Sequence, residues 1–229
     1  MAGSMTEVPV NGGVVPAYVS LPPAGSGPGV VVIQEWWGLV PHIRNVADRL
    51  AAQGFVAMAP DLYHGQETSE PDEAGKLLME MRLDQAAKDM AATVDALLAM
   101  PETTGDGVGA IGFCAGGGLA LYLATLKPEV AAVVCYYGFP RQGLQWDLSA
   151  VKGAVQGHFA EHDDWANREL ADGMERELRD AGVDVTFHHY PGTTHAFFND
   201  DRPEVHHAEA ADLSWRRTLD FLRDRLGGG

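Results

Sequence analysis

The chain has 229 residues, 46% hydrophobic and 21% charged, which is the balance of a soluble globular protein and enough length for one large α/β domain. Thirty-two acidic against 16 basic side chains leave a formal charge of −16, spread along the chain, and that field excludes nucleic acid and anionic membrane surfaces as natural partners. No apolar run reaches the roughly 18 residues of a membrane span, and the start MAGSMTEVPV lacks the pattern of a secretory leader.

Taken in chain order, the pattern predicts a short hairpin over Glu7 to Leu21, turned at Asn11-Gly12-Gly13. Gly29 to Gln34 reads as a strand buried on both faces. Pro41 to Gln53 reads as a helix, with proline at its start and Gly54 just past its end. A strand over Phe55 to Pro60 precedes a polar loop, Tyr63 to Pro71, and then a helical region, Asp72 to Met100, interrupted near Leu83 or Asp84. Val108 to Phe113 is a strand, Ala115 to Leu126 a helix, and Val130 to Tyr137 another buried strand. The last third repeats the alternation: a strand over Ala154 to Phe159, a helix over Ala166 to Ala181, a strand over Val183 to Tyr190 and a helix over His206 to Leu226. No repeat or composition break divides the chain, so one domain over residues 1–229 is expected, with residues 1–5 and 227–229 flexible. The second methionine, Met5, suggests that Met1 to Ser4 are appended.

At Gly112-Phe113-Cys114-Ala115-Gly116 a strand meets a helix with the spacing of a nucleophile elbow, cysteine standing in the serine position. The strained turn tolerates only small neighbours, and Gly112 and Gly116 meet that demand. The helix N-terminus places partial positive charge at the sulfur, which favours thiolate over thiol. The alternative is an inert buried cysteine, the usual fate of a lone Cys. Two cysteines, Cys114 and Cys135, are too few for a disulfide framework, and free thiols in a reducing, cytoplasmic setting are expected rather than a bridge.

A nucleophile of this kind needs an acid and then a histidine in loops after later strands. Glu161-His162-Asp163-Asp164 follows one strand, and Pro191-Gly192-Thr193-Thr194-His195 follows the next. Both loops open on the edge that holds Cys114, so Cys114, Asp163 and His195 can converge, with Asp164 as the alternative acid. The pairs His188-His189 and His206-His207 lack the spacing of a metal site; no metal and no cofactor are expected.

Gln34-Glu35-Trp36-Trp37-Gly38, Pro60-Asp61-Leu62-Tyr63, Gly112-Phe113-Cys114-Ala115-Gly116-Gly117, Gly157 to Asp164 and Tyr190 to Phe197 together resemble the dienelactone hydrolase family, in the right order and over nearly the whole chain. The resemblance implies an α/β-hydrolase fold, with a mostly parallel central sheet, helices on both faces and no large cap domain. It implies a Cys-His-Asp triad, and a glutamate, here Glu35, that contacts the nucleophile, quiets it at rest and takes its proton when substrate arrives. Without the resemblance, Glu35 could be a surface carboxylate. The backbone N–H groups of Ala115 and Trp36 are the expected oxyanion donors. Trp37, Tyr137, Trp165, Phe197 and Phe198 are expected as apolar walls of a substrate pocket.

One departure concerns the family's arginine four residues after the catalytic histidine: here that position is Asn199, and Arg202 lies further on. Arg82 is a candidate second clamp on substrate or, alternatively, a helix-surface arginine paired with Asp84 or Glu80. A carboxylate-bearing substrate is therefore less expected than a small neutral ester or lactone. A carboxylesterase or thioesterase with the same triad, a silent binding module and a thiol redox protein remain as rivals. The chain is expected to work as a monomer or small homo-oligomer.

Overall fold

The computed structural model describes residues 2–140 and 146–227. One eight-stranded sheet runs through them in the order β1-β2-β4-β3-β5-β6-β7-β8. The strands are β1 (Ser4–Val10), β2 (Gly13–Ser20), β3 (Gly27–Ile33), β4 (Val56–Pro60), β5 (Thr103–Phe113), β6 (Val130–Tyr136), β7 (Ala154–His162) and β8 (Val185–Thr194). β1 and β2 form an edge hairpin, and β2 pairs antiparallel with both β1 and β4; β3 to β8 are parallel.

Helices α1 (Pro41–Ala52), α2 (Pro71–Glu80), α3 (Leu83–Ala99), α4 (Ala115–Leu126) and α5 (Arg168–Asp180) lie in crossovers between parallel strands, and α6 (Ala208–Leu226) follows the last strand. Strand alternation divides the core. Val30 and Val32 pack with Ile43, Val46 and Leu50 of α1 and Leu219 and Leu222 of α6. Val31 and Ile33 face the other way, onto Met90, Val94 and Leu97 of α3 and Leu121 and Leu123 of α4. With both faces covered, β3 has to be apolar throughout, which is why it reads as a continuous Val/Ile run.

Local signals explain the helix ends. Pro41 starts α1, and Gly54, at φ 99°, takes the left-handed position just past it. Asn167 caps α5 by accepting from the Leu170 N–H at 3.0 Å. His207 caps α6, its ring nitrogen accepting from the Ala210 N–H at 3.3 Å.

Several boundaries differ from the sequence expectation. The break between α2 and α3 falls at Met81 and Arg82, both extended, just ahead of the expected Leu83. Strands β7 and β8 run three and four residues further than expected, because the register that pairs Tyr190 with Ala160 resumes at His162 and Thr194 after an irregularity. Within the start expected to be flexible, Ser4 and Met5 pair with Val19 and Tyr18, and the Gly3 N–H donates to Asp48 Oδ1 at 2.9 Å. Met1 and the terminal Gly228 and Gly229 lie outside the described residues.

From β3 the chain crosses to β4 on one side, then returns across β3 to β5 on the other. That reversal opens a crevice between the carboxyl ends of β3 and β5, the place where open α/β sheets bind ligands. Glu35 follows β3 and Cys114 follows β5.

Candidate active site

Cys114 joins β5 to α4 with φ 54° and ψ −120°. Its N–H donates to Tyr136 O and its carbonyl accepts from the Gly117 N–H, both at 3.0 Å, which pins the strained turn from both sides. The glycines are sterically required. A Cβ on Gly112 would meet Gly116 O at 1.9 Å, and one on Gly116 would meet Gln34 O at 2.4 Å. The second contact brings the end of β3, and with it Glu35, against the first turn of α4.

Asp163 and His195 leave adjacent strands, β7 and β8, and meet. Oδ2 of Asp163 lies 2.7 Å from Nδ1 of His195. Oδ1 accepts the backbone N–H groups of Trp165 and Ala166, each at 2.8 Å, so the carboxylate is fixed before it reaches the imidazole. Burial opposes ionisation of Asp163, but the histidine and the two N–H donors outweigh it and lower its pKa. A buried carboxylate can only accept, so Nδ1 carries the proton and Nε2 is left for the sulfur. Burial likewise works against charge on His195, yet Asp163 and Cys114 prevail and push its pKa up to about 10. Asp164 is exposed and takes no part.

Glu35 is buried, 2% exposed. Its Oε2 accepts from Asn199 Nδ2 at 2.8 Å, and the Tyr137 hydroxyl points to Oε1 at a long 3.5 Å. Tyr137 stays a phenol: burial first, then Glu35 and Cys114, raise its pKa well above the ordinary value. The backbone N–H groups of Ala115 and Trp36 donate to no carbonyl among the described residues.

Other expected pocket residues are placed differently. Trp165 is 76% exposed and forms no enclosed wall; its backbone, not its ring, serves the site by holding Asp163. Phe197 and Phe198 are core residues. Phe198 stacks on Phe113 at 5.3 Å and lies 4.9 Å from Tyr136, because the turn after His195 inserts both rings beneath the sheet edge. Arg82 sits at the start of α3, its Nη2 bonded to Asp84 Oδ2 at 2.9 Å and its side chain 75% exposed. Arg202 bonds Glu204 at 2.9 Å and stacks 5.6 Å over Trp37. Trp37, His42, Thr68, Asn199, Arg202 and Glu204 help line an open cleft of about 720 Å³. A hollow of about 540 Å³ between Val8 and α3 involves none of the expected site residues.

Tyr63 was not singled out as a site residue. Asp61 builds the turn that presents it, accepting from the N–H groups of Tyr63 at 3.0 Å and Gly65 at 2.6 Å, while Gln34 Oε1 accepts from the Leu62 N–H at 3.1 Å. Burial, then the Cys114 sulfur, raise the Tyr63 pKa. The signal was present in Pro60-Asp61-Leu62-Tyr63, where an Asp two residues before the tyrosine marks an Asx turn. Cys114 and Cys135 are both free. Cys135 is buried with its sulfur 3.2 Å from Gly117 O, and burial pushes its pKa up to about 12, so it is a poor redox partner. His188 stacks on His158 at 5.6 Å, and His189 faces Asp172 at 3.3 Å.

The parallel sheet with its antiparallel edge hairpin, and a strained strand-to-helix turn at its switch point, define an α/β-hydrolase. The sequence profile of the dienelactone hydrolase family matches residues 15–226, and the chain belongs to that family. It is 38% identical to Protein usf of Aquifex pyrophilus, over 98% of this chain and 99% of that one. It is 37% identical, over the same shares, to an Aquifex aeolicus protein provisionally named a carboxymethylenebutenolidase. A Klebsiella pneumoniae structure, provisionally named a dienelactone hydrolase, superposes with a TM-score of 0.86 at 27% identity, covering 96% of this chain and 97% of that one. A dienelactone hydrolase-like promiscuous phosphotriesterase from metagenomic libraries gives 0.86 at 25% identity, covering 98% and 99%. The protein is a hydrolase.

Proposed function

We propose that this hydrolase cleaves small, uncharged esters or lactones through a covalent acyl-enzyme on Cys114. The observation that carries the reading is the chain of contacts from Asp163 through His195 to the sulfur, with the Asp163–His195 link at 2.7 Å. On substrate arrival the thiol proton passes to Glu35, and the sulfur adds to the carbonyl carbon. The Ala115 and Trp36 N–H groups, free of other backbone acceptors among the described residues, stabilise the oxyanion. The C–O bond then breaks, and the leaving alkoxide takes the proton of the His195 imidazolium, which leaves His195 neutral. In the second half, His195 removes a proton from water, hydroxide adds to the thioester, and the sulfur leaves as thiolate with the acid as product. Asp163 holds the imidazole tautomer throughout.

The uncharged substrate follows from two features: a net charge of −16, and a neutral amide, Asn199, where the family places an arginine. The phosphotriesterase relative supports a second reading, in which the same sulfur attacks a neutral phosphotriester. Incubation with p-nitrophenyl acetate and intact-mass analysis tests the first: an acetyl adduct on Cys114 is expected, and Cys114→Ala should lower turnover by at least about 10³-fold. Undiminished turnover in Cys114→Ala removes the nucleophile assignment, and a lactone, thioester and paraoxon panel ranks the substrate classes.

A further inference from the structure

Asp89, in the middle of α3, is a fully buried carboxylate outside the triad. Burying such a group is costly unless its oxygens are bonded. Oδ1 accepts from Gln85 Nε2 at 2.8 Å, and Oδ2 lies 2.9 Å from His64 Nε2. A carboxylate only accepts, so Nε2 carries the hydrogen. Gln85 is one turn away on the same helix, whereas His64 comes from the turn after β4. The pair ties that turn to α3.

His64 holds a left-handed backbone, φ 50°, and Gly65 follows at φ 97°. The Gln66 N–H donates to Tyr63 O at 3.3 Å, and two successive positive φ values between them make a tight type I′ turn. Glycine would take the backbone of position 64 at no steric cost. A histidine kept there against strain is held by what its side chain bonds.

This turn is built onto the loop that follows β3. The Leu62 N–H donates to Gln34 Oε1 at 3.1 Å, and the Thr68 N–H donates to Trp37 O at 3.0 Å. Gly38 lies so close that an added Cβ would meet Gln66 O at 2.6 Å. Trp36 sits in the chain between these anchors. Beneath them, Met90, Val94 and Leu97 of α3 pack with Val31 and Ile33 of β3. Helix α3 thus grips β3 directly and the loop after it through His64.

We propose that His64 and Asp89 are positioning residues for the oxyanion hole: their bond holds the turn after β4 against the loop after β3 and so fixes the Trp36 N–H. The inference rests on the reading of that N–H as an oxyanion donor. A donor stabilises the transition state only when it is held in place beforehand. Losing a whole donor costs about 10²–10³-fold in kcat, so loosening one should cost about 10-fold. The same turn carries Tyr63 beside the Cys114 sulfur, which makes the nucleophile the rival target.

Two reactions separate the targets. Alkylation of Cys114 by iodoacetamide needs the sulfur and no oxyanion hole, whereas ester turnover needs both. His64→Gly removes the bond to Asp89 and relieves the backbone strain. It should lower kcat for p-nitrophenyl butyrate about 10-fold with KM within about twofold. Inhibition by trifluoroacetone, whose adduct with the sulfur bears an oxyanion, should weaken by about the same factor. The alkylation rate should stay within about twofold of wild type. His64→Gln, whose amide nitrogen can replace Nε2 as donor, should restore kcat to within about threefold. If His64→Gly does not fold, because Asp89 is left buried with one partner, His64→Gly combined with Asp89→Asn removes the charge and is read by the same criteria.

Wild-type kcat and inhibition in His64→Gly overturn the proposal, even if the melting temperature falls. Equal losses in alkylation and turnover assign the bond to the sulfur and overturn it as well. So does a His64→Gln variant as slow as His64→Gly. Cys114→Ala runs in parallel: full turnover there removes the acyl-enzyme reading and this inference with it. Turnover lost in Cys114→Ala but unchanged in His64→Gly overturns the His64–Asp89 proposal alone.

Discussion

Among the described residues, three of the four non-glycine residues with positive φ, Cys114 (54°), Tyr137 (37°) and Ala196 (64°), belong to the candidate site or adjoin it. Each such backbone costs roughly 1–3 kcal/mol, and each is held by hydrogen bonds that its neighbours supply. Tyr137 donates its N–H to His158 O at 2.8 Å, and Ala196 O accepts from Asn199. The strain places three side chains, from Cys114, Tyr137 and His195, around one point. The electrostatics there are coupled, since the imidazole is raised to about 10 partly by the sulfur. In Cys114→Ala, the His195 titration followed by NMR should move to lower pH, because only Asp163 remains to favour the imidazolium against burial. Asp163→Asn should lower kcat by on the order of 10³–10⁴-fold, since an amide can stabilise the wrong tautomer, while Asp164→Asn should leave kcat near wild type. Equal losses in the two variants would refute the choice between neighbouring aspartates.

The elements around the site meet through backbone contact with no side chain between them. Gly116 in the first turn of α4 lies against the carbonyls of Ile33 and Gln34, where an added Cβ would approach to 2.5 and 2.4 Å. Gly118 lies under Phe139 O, with a corresponding distance of 2.0 Å. Gly116→Ala should therefore push the end of β3 away from α4, separating Glu35 and Trp36 from Cys114. The expected result is a stability loss of about 1–3 kcal/mol by denaturant titration, with a proportionally larger loss of kcat. Unchanged kinetics would show that the β3–α4 contact does not set the site. Leu50 marks the ordinary case: fully buried between α1 and the sheet, it should cost about 2–5 kcal/mol on change to Ala, with little effect on the pH profile of the thiol. The turn after β4 was expected as a plain polar loop beyond Tyr63, yet Asp61 organises its start through two N–H bonds, which periodicity does not reveal.

Across the whole molecule, stability should be greatest in a window bounded by buried histidines on one side and the site on the other. His158 is fully buried, with Nδ1 2.7 Å from the Tyr190 hydroxyl and Nε2 3.0 Å from Gln156 Oε1, and burial, then His188 and Arg217, hold its pKa well below the ordinary value. A depressed folded pKa means that stability is present above about 6.5, the unfolded value, and is lost as pH falls below it. His195 has the opposite sign. Its raised pKa contributes stability fully below about 6.5, and that contribution is lost as pH rises through about 10. Melting temperatures from pH 4 to 11 should fall at both ends; His158→Gln should flatten the acid limb and Cys114→Ala the alkaline limb. A wild-type acid limb in His158→Gln would show that other groups carry it.

The order of strands and helices, the glycine-flanked cysteine and the later Asp and His were legible in the chain. They are imposed locally, by side-chain period and by turns that only small residues accept. The same local rules mark Trp165, Phe197, Phe198 and Arg82 only as aromatic or basic residues near strand and helix ends. Whether such a residue faces solvent, core or site depends on the exact rotation of a turn, and that rotation is set by contacts with segments distant in sequence. The bond from Asn199 to Glu35 spans 164 positions, and only the packed sheet brings its two ends together.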